Sequence, residues 1–473
     1  MTPQAGQAAT DWTFTPRVTV GHEWTDNAGF AERGSEVSDH ITLLQPGFSL
    51  TGEGGRATVS LRYLWDNRFY WEDSDRDRSF HRLRGAGDVE LVRNSVFVDG
   101  SIRRDLRAES TFQPLTAGEE EETTRYRVSP YWIWRQGRFT EQQVRYTFDE
   151  IRYHRSEREP QQVHRAQYRL DSGPQFGSTF WQLLSERSWD RFEDPDRAEV
   201  DRLSNEATLG YQFGGSLRLS ATGSDGWNRV EDGAQVDTQS WRVNADWAPL
   251  RNTRFQGSYG RFKDEIEGLE RTNRREQRSL SITHQAPRST YQLSYAERRS
   301  DSAARALNPE ATDIDLLLAD IGLIDSDELL VDDDRIIFTE TWRASWDYET
   351  GVSTFRIELA QLETDREFEL GDTSGDAVDQ ERRATGLWRW AIGSRTDANL
   401  RGVYREVEGA DRDQRERMLE EYRVSLGLSR SIGRRTTGDL DYTYRQSVED
   451  REDRGSDVRR RENRITARLT MEF

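Results

Sequence analysis

Apolar and polar residues alternate with a period of two along most of this chain. The last segment shows it most plainly. Ile465, Ala467, Leu469, Met471 and Phe473 alternate with Arg464, Thr466, Arg468, Thr470 and Glu472. A β-strand puts two such sets on opposite faces. The segment before it sets Gly438, Leu440, Tyr442 and Tyr444 against Asp439, Asp441, Thr443 and Arg445. Near the start, Trp12, Phe14, Pro16, Val18 and Val20 alternate with Thr13, Thr15, Arg17 and Thr19. Leu203–Phe213, Trp241–Trp247, Trp342–Tyr348 and Tyr422–Leu428 follow the same rule.

The connections alternate too, short then long. Short ones carry turn residues, as in Gly52–Arg56, Gly214–Gly215 and Gly433–Arg435,. Long ones are charged, as in Thr25–Ser38, Asp225–Thr238, Arg299–Arg335 and Ser447–Glu462. About ten short and eleven long connections imply about 22 strands, with both chain ends on the short-turn side. A stacked β-repeat or propeller would show a recurrent motif every 40–50 residues or so, and none is seen. The expected fold is therefore all-β: a transmembrane antiparallel up-and-down β-barrel with short periplasmic turns and long extracellular loops. It spans residues 12–473 as a single domain, after a disordered periplasmic segment 1–11.

Composition fits that picture. Only 34% of the residues are hydrophobic and 32% are charged, which would suggest disorder were there not 15 Trp, 16 Tyr and 19 Phe,. In a barrel only the lipid face is apolar, so overall hydrophobicity is low. The absence of cysteine excludes disulfides, thiolate metal sites and cysteine nucleophiles,. No apolar run approaches the ~20 residues of a membrane helix. Met1–Asp11 lacks the basic start and apolar stretch of a signal peptide, so the chain reads as a mature outer-membrane protein of a Gram-negative bacterium,. A net charge of −19 argues against nucleic acid as a partner,.

Aromatic girdles are expected at both lipid interfaces. Trp134, Phe139, Phe213, Trp247, Phe255, Trp346, Tyr348 and Trp390 lie beside short turns. Trp24, Trp65, Tyr146, Trp241, Tyr259, Tyr295, Tyr404 and Tyr444 lie nearer the long loops. Phe473 ends the chain in the outward register. It looks like the terminal aromatic that the barrel-assembly machinery reads, which makes that machinery and outer-membrane lipid or lipopolysaccharide the expected partners.

The first segment carries a more specific pattern: Trp12-Thr13-Phe14-Thr15-Pro16, Thr25-Asp26-Asn27, Ser38-Asp39, Gln45-Pro46-Gly47-Phe48, and Gly54-Gly55-Arg56 leading to Leu61-Arg62-Tyr63. This resembles the outer-membrane β-barrels associated with PEP-CTERM/exosortase systems, over about the first 70 residues and the last strand. The resemblance implies a setting in exopolysaccharide export, with polysaccharide and periplasmic export proteins as partners. It supplies no catalytic residues.

Residues on the polar face should line the interior. Arg62, Arg103, Arg127, Arg145, Arg169, Arg242, Arg343, Arg356, Arg401, Arg423, Arg445 and Arg468 take that register. Acidic counterparts include Asp99, Glu206, Asp246, Asp347, Glu358, Asp397, Asp439, Asp441 and Glu472. Two readings stay open. Surplus arginine would make a pore that favours anions. Arginine paired with acid on adjacent strands would make a hydrated wall without preference, and such pairing is the default.

A barrel of this size encloses a large lumen, and about eleven residues before the first strand provide no plug. The longest loop, Arg299–Arg335, is the internal candidate. Leu316, Leu317, Leu318, Ile321 and Leu323 would form a constriction, or else an outward lid,. Its acids Asp325, Asp327, Glu328 and Asp332–Asp334 lack calcium-loop spacing,. The six histidines, His22, His40, His81, His154, His164 and His284, form no metal or nucleophile motif,. No enzyme, metal site or cofactor is expected. The reading is a passive channel for polar or anionic glycan or solute; a general diffusion porin and a non-conducting barrel that docks secretion or adhesion partners remain alternatives.

Overall fold

The computed structural model describes residues 11–108, 120–154, 160–192, 199–230, 235–266, 271–301, 335–369, 377–410, 416–451 and 457–473. They hold 22 strands and two single-turn 3-10 helices. The strands are β1 (Asp11–Thr25), β2 (Asp39–Glu53), β3 (Ala57–Tyr70), β4 (Arg78–Val92), β5 (Val96–Ala108), β6 (Glu120–Gln136) and β7 (Thr140–Tyr153). Next come β8 (Gln161–Ser172), β9 (Thr179–Phe192), β10 (Val200–Phe213), β11 (Leu217–Val230), β12 (Gln235–Leu250), β13 (Thr253–Ile266), β14 (Arg271–Gln285) and β15 (Ser289–Asp301). The barrel ends with β16 (Arg335–Glu349), β17 (Ser353–Glu369), β18 (Ala377–Ala391), β19 (Thr396–Ala410), β20 (Glu416–Ser431), β21 (Thr436–Arg451) and β22 (Val458–Glu472).

Every strand pairs antiparallel with its neighbours in sequence, and β1 pairs with β22 to close the ring. Closure leaves no unpaired sheet edge, which a lipid environment demands. Thr19 and Thr470 join hydroxyls across the seam at 2.8 Å, and the Thr25 hydroxyl donates to Glu462 at 2.7 Å. The Phe473 amide donates to the Pro16 carbonyl at 2.9 Å, so the terminal residue sits on the seam with its ring exposed.

The short turns hold where the backbone can reverse tightly. Gly137 and Gly214 both take φ +57°, a left-handed conformation that costs glycine nothing,. Asn94 adopts it in the corresponding turn between β4 and β5,. At the other end the sequence-based boundaries need correction. Asp225–Thr238 reads as a long loop, but β11 and β12 run on and leave only residues 231–234 between them. Strands of 12–17 residues exceed the ~9–11 that span a bilayer,. Outside the bilayer both faces are wet, so the apolar alternation fades while the hydrogen-bond ladder continues.

The outer face is apolar and exposed: Val20, Leu209, Leu359 and Leu440 are each half-exposed or more. Near the short turns, Trp346, Tyr348, Phe355, Trp388 and Trp390 form a chain of ring contacts at 5.6–6.1 Å. Near the other rim, Trp241 meets Tyr259, Tyr295 meets Trp342 and Tyr404 meets Tyr422. Histidines join this second belt. His81 stacks on Trp65 and bonds the Tyr63 hydroxyl, and His164 does the same with Trp189 and Tyr146.

Candidate functional site: the inner wall

The ladder register identifies the inner face. Arg145 of β7 reaches Asp99 of β5 at 2.9 Å, across the whole of β6. Side chains two strands apart converge in this way on the concave side of a curved sheet. The twelve arginines singled out above all lie in that register. Arg103 pairs with Asp105, Arg127 with Asp149, Arg145 with Asp99 and Arg169 with Asp171. Arg343 pairs with Glu358, Arg356 with Asp347, Arg468 with Asp441, and both Arg423 and Arg445 with Glu421. Arg401 lies opposite Ser425 and Leu387. Arg62 and Arg242 have no ion pair among the described residues.

Two walls of different chemistry result. On β18–β22 and β1 the inner positions form an ionic ladder. Glu421 accepts from Arg445 at 2.8 Å and from Arg423 at 3.1 Å. Glu381 takes Arg383 and Arg405, Glu449 takes Arg460 at 3.0 Å, and Arg464 binds both Glu462 and Glu23. Glu449 and Glu462 are buried, so these charges depend on their partners,.

On β11–β15 the inner positions are mostly small and hydroxylated: Ser220, Thr222 and Ser224, then Thr238 and Ser240, then Ser258, then Ser279 and Ser281, then Ser294 and Ala296. Ser224 bonds Ser240 at 2.6 Å, and Ser258 bonds Ser279 at 2.7 Å. Because these side chains are short, the wall recedes into a recess of about 400 Å³. Arg218, Arg242 and Arg298 line it together with Asn244, Gln256 and Gln277. Its acids are Asp246 and Glu297. Asp246 is committed to Arg254, and Glu297 accepts from the Tyr295 hydroxyl.

Three arginines therefore face this recess without an ion pair among the described residues. Arg242 lies between Thr222 and Gly260 on the flanking strands, and its buried Nε has no hydrogen-bond partner. Arg218 is held differently, with its guanidinium 3.7 Å over the Phe180 ring. Phe180 can lie there because Gly210 is opposite; a Cβ at 210 would stand 2.1 Å from that ring.

The polar-face reading overlooked two features. The first is an apolar collar on the inner register near the long-loop rim. Ile41, Leu43, Phe80, Ile151, Val163, Val200, Val236, Phe262, Val407 and Leu419 are buried there, where a water-filled lumen would have polar residues,. Its signal was present: apolar residues occupying the polar register at strand ends. The second is the loop between β1 and β2, which bends back over the wall. Ala28 joins Ile41, Leu43 and Tyr70 in one buried cluster. Phe30 adopts φ +46°, an uncommon conformation for a bulky residue, and its ring covers Arg445 at 4.3 Å,. The Asn27 amide fixes the loop to the Arg461 carbonyl at 2.9 Å. Leu316, Leu317, Leu318, Ile321 and Leu323, with the acids of the same loop, lie outside the described residues. Among the described residues no cluster of three or more His, Asp or Glu is arranged to hold a metal ion.

Comparison with known proteins places the fold. No family model matches the chain. No curated protein matches it in sequence. Among solved structures it is similar to the FrpB iron transporter of Neisseria meningitidis, with a TM-score of 0.59 and 9% identity over 97% of this chain and 81% of that one. It is similar to the ferric enterobactin receptor PfeA of Pseudomonas aeruginosa, with a TM-score of 0.56 and 10% identity over 99% and 82%. The siderophore receptor PirA of the same organism gives 0.53 and 11% over 97% and 80%. At such identities the likeness is one of fold: this is an outer-membrane-type β-barrel.

Proposed function

We propose that this chain is an outer-membrane channel of a Gram-negative bacterium that passes polar, anionic solute, with extracellular polysaccharide as its cargo. The observation that carries the reading is the receding wall of β11–β15. It offers hydroxyls and amides, with three arginines, Arg218, Arg242 and Arg298, that make no ion pair among the described residues. Serine and amide groups exchange hydrogen bonds with a hydroxylated chain at little cost, and unmatched arginine raises the local concentration of anions. Passage is passive, driven from the periplasmic side. The exopolysaccharide setting, with its periplasmic export partners, rests on the motifs between Trp12 and Tyr63. The exposed Phe473 on the closing seam suits recognition by the assembly machinery.

Single-channel recording in a planar bilayer tests this. The expected result is a stable conductance that prefers anions. Cation preference would overturn the reading.

A second reading has its own observation. The buried collar and the inward-bent first loop narrow the mouth at the long-loop rim. A barrel sealed there would dock partners and conduct nothing. Zero conductance from demonstrably folded protein would select it.

A further inference from the structure

We infer that the recess on β11–β15 is a binding site for an acidic sugar, a hexuronate unit, so that the wall reads one charged residue of a glycan at a time. The inference rests on the channel reading for its setting and on the recess itself for its chemistry.

Three properties of the recess select this ligand class. Its volume of about 400 Å³ falls in the range of small-molecule sites,. Its cations lack counter-ions in a defined way. Arg242 has the neutral Thr222 and Gly260 opposite it on the two flanking strands and no ion pair among the described residues, so a carboxylate in the recess meets a guanidinium not already committed to an acid,. Arg298 has no ion pair among the described residues, and Arg218 spends its face on the Phe180 ring, which leaves its edge donors available,. The acids nearby are already engaged, Asp246 by Arg254 and Glu297 by Tyr295.

The third property separates a sugar acid from a bare anion. Ser220, Ser258 and Ser279 stand among Asn244, Gln256 and Gln277, groups that both donate and accept,. An inorganic anion uses donors alone. A ring bearing several hydroxyls and one carboxylate uses all of these. A divalent cation is disfavoured, because arginine outnumbers acid in the lining.

The test is equilibrium titration of the folded, detergent-solubilised barrel with sodium glucuronate, with glucose and sodium acetate run in parallel. Glucuronate should bind at least about tenfold more tightly than either control, because each control lacks one half of the interaction. Arg242→Gln combined with Arg298→Gln should weaken glucuronate by about tenfold or more and leave glucose unchanged. Ser258→Ala with Ser279→Ala should weaken glucuronate and spare acetate. Arg145→Gln, on β7 and outside the recess, should have no effect, and circular dichroism checks that each variant keeps its β content. Equal affinity for acetate and glucuronate, or an unchanged affinity in the double arginine variant, would overturn the inference. Binding is read without conductance, so the two proposals fail separately. A barrel that binds glucuronate but does not conduct loses only the channel; one that conducts anions without binding loses only the site.

Discussion

On β20 and β21, Glu421 holds Arg445 at 2.8 Å and Arg423 at 3.1 Å; on β12, Arg242 lies between Thr222 and Gly260 with no carboxylate to hold. Both arginines occupy the inner register of one closed sheet. The backbone geometry is shared, so the difference comes from which acids lie opposite or diagonally within reach: Arg445 has Glu462 opposite and Glu421 diagonal to it, whereas Arg242 has Thr222 and Gly260. Where acid meets arginine across the ladder, the wall satisfies itself and its charge is spent on structure. Where serine, threonine or glycine meets arginine, the charge remains for something that enters the lumen. An arginine count along the chain is therefore a poor guide to selectivity, because most of the arginines singled out are structural.

The comparison breaks most visibly in stability. Glu421→Ala takes from buried Arg445 the carboxylate it donates to at 2.8 Å, and the expected cost is about 3 kcal/mol, as for breaking a buried ion pair from one side,. Ser258→Ala removes one hydroxyl bond and should cost about 1 kcal/mol. Urea unfolding of the barrel in lipid vesicles measures both. Equal costs would mean that the ionic ladder is solvated and that the contrast between the walls is illusory.

The fold was legible because a membrane strand writes its two faces into the sequence every second residue. That signal gives the number of strands and the sense of the barrel. It fails at the outer rim, where β11 and β12 continue past the bilayer and neither face must be apolar. The inner register of the arginines was legible for the same reason. Their partners were not, since pairing depends on which residue the ladder sets opposite, and Arg145 finds Asp99 two strands away. One local signal was available. Asp66 with Arg68, Glu381 with Arg383, Glu421 with Arg423 and Glu462 with Arg464 each put acid and arginine on one face, two residues apart. The hydroxyl wall went unread because small polar side chains announce themselves by neither charge nor bulk.

A smaller effect sharpens the comparison through ion selectivity. Removing the matched pair with Asp99→Ser and Arg145→Ser leaves the lumen charge unchanged, so the permeability ratio should stay where it was. Arg242→Ser removes one unmatched charge and should lower anion preference roughly twofold, the factor expected for one charge about 10 Å from a passing ion in water. Raising salt from about 0.1 M to 1 M shortens screening from about 10 Å to 3 Å and should erase that difference. Bilayer reversal potentials measure all three. A larger change in the paired double variant than in Arg242→Ser would mean that unmatched arginine does not set the selectivity.

The smallest expected effect concerns how the hydroxyl wall holds a cation without an acid. Phe180 lies flat because Gly210 offers no side chain, and Arg218 rests on the ring at 3.7 Å. Phe180→Leu keeps most of the apolar bulk and removes the π face. The loss in stability should be only about 0.5–1 kcal/mol, the worth of an exposed cation–π contact. Arg218 then has Asp246 directly opposite on β12, already bound by Arg254. Freed from the ring, it should swing toward that carboxylate and share it, which spends its charge as the ionic wall spends its own. Glucuronate affinity should therefore fall in Phe180→Leu, and Asp246→Asn in the same background should restore it by removing the competing acceptor. If Asp246→Asn restores nothing, the ring does not compete with the acid for Arg218, and the recess owes its free cations to some other constraint.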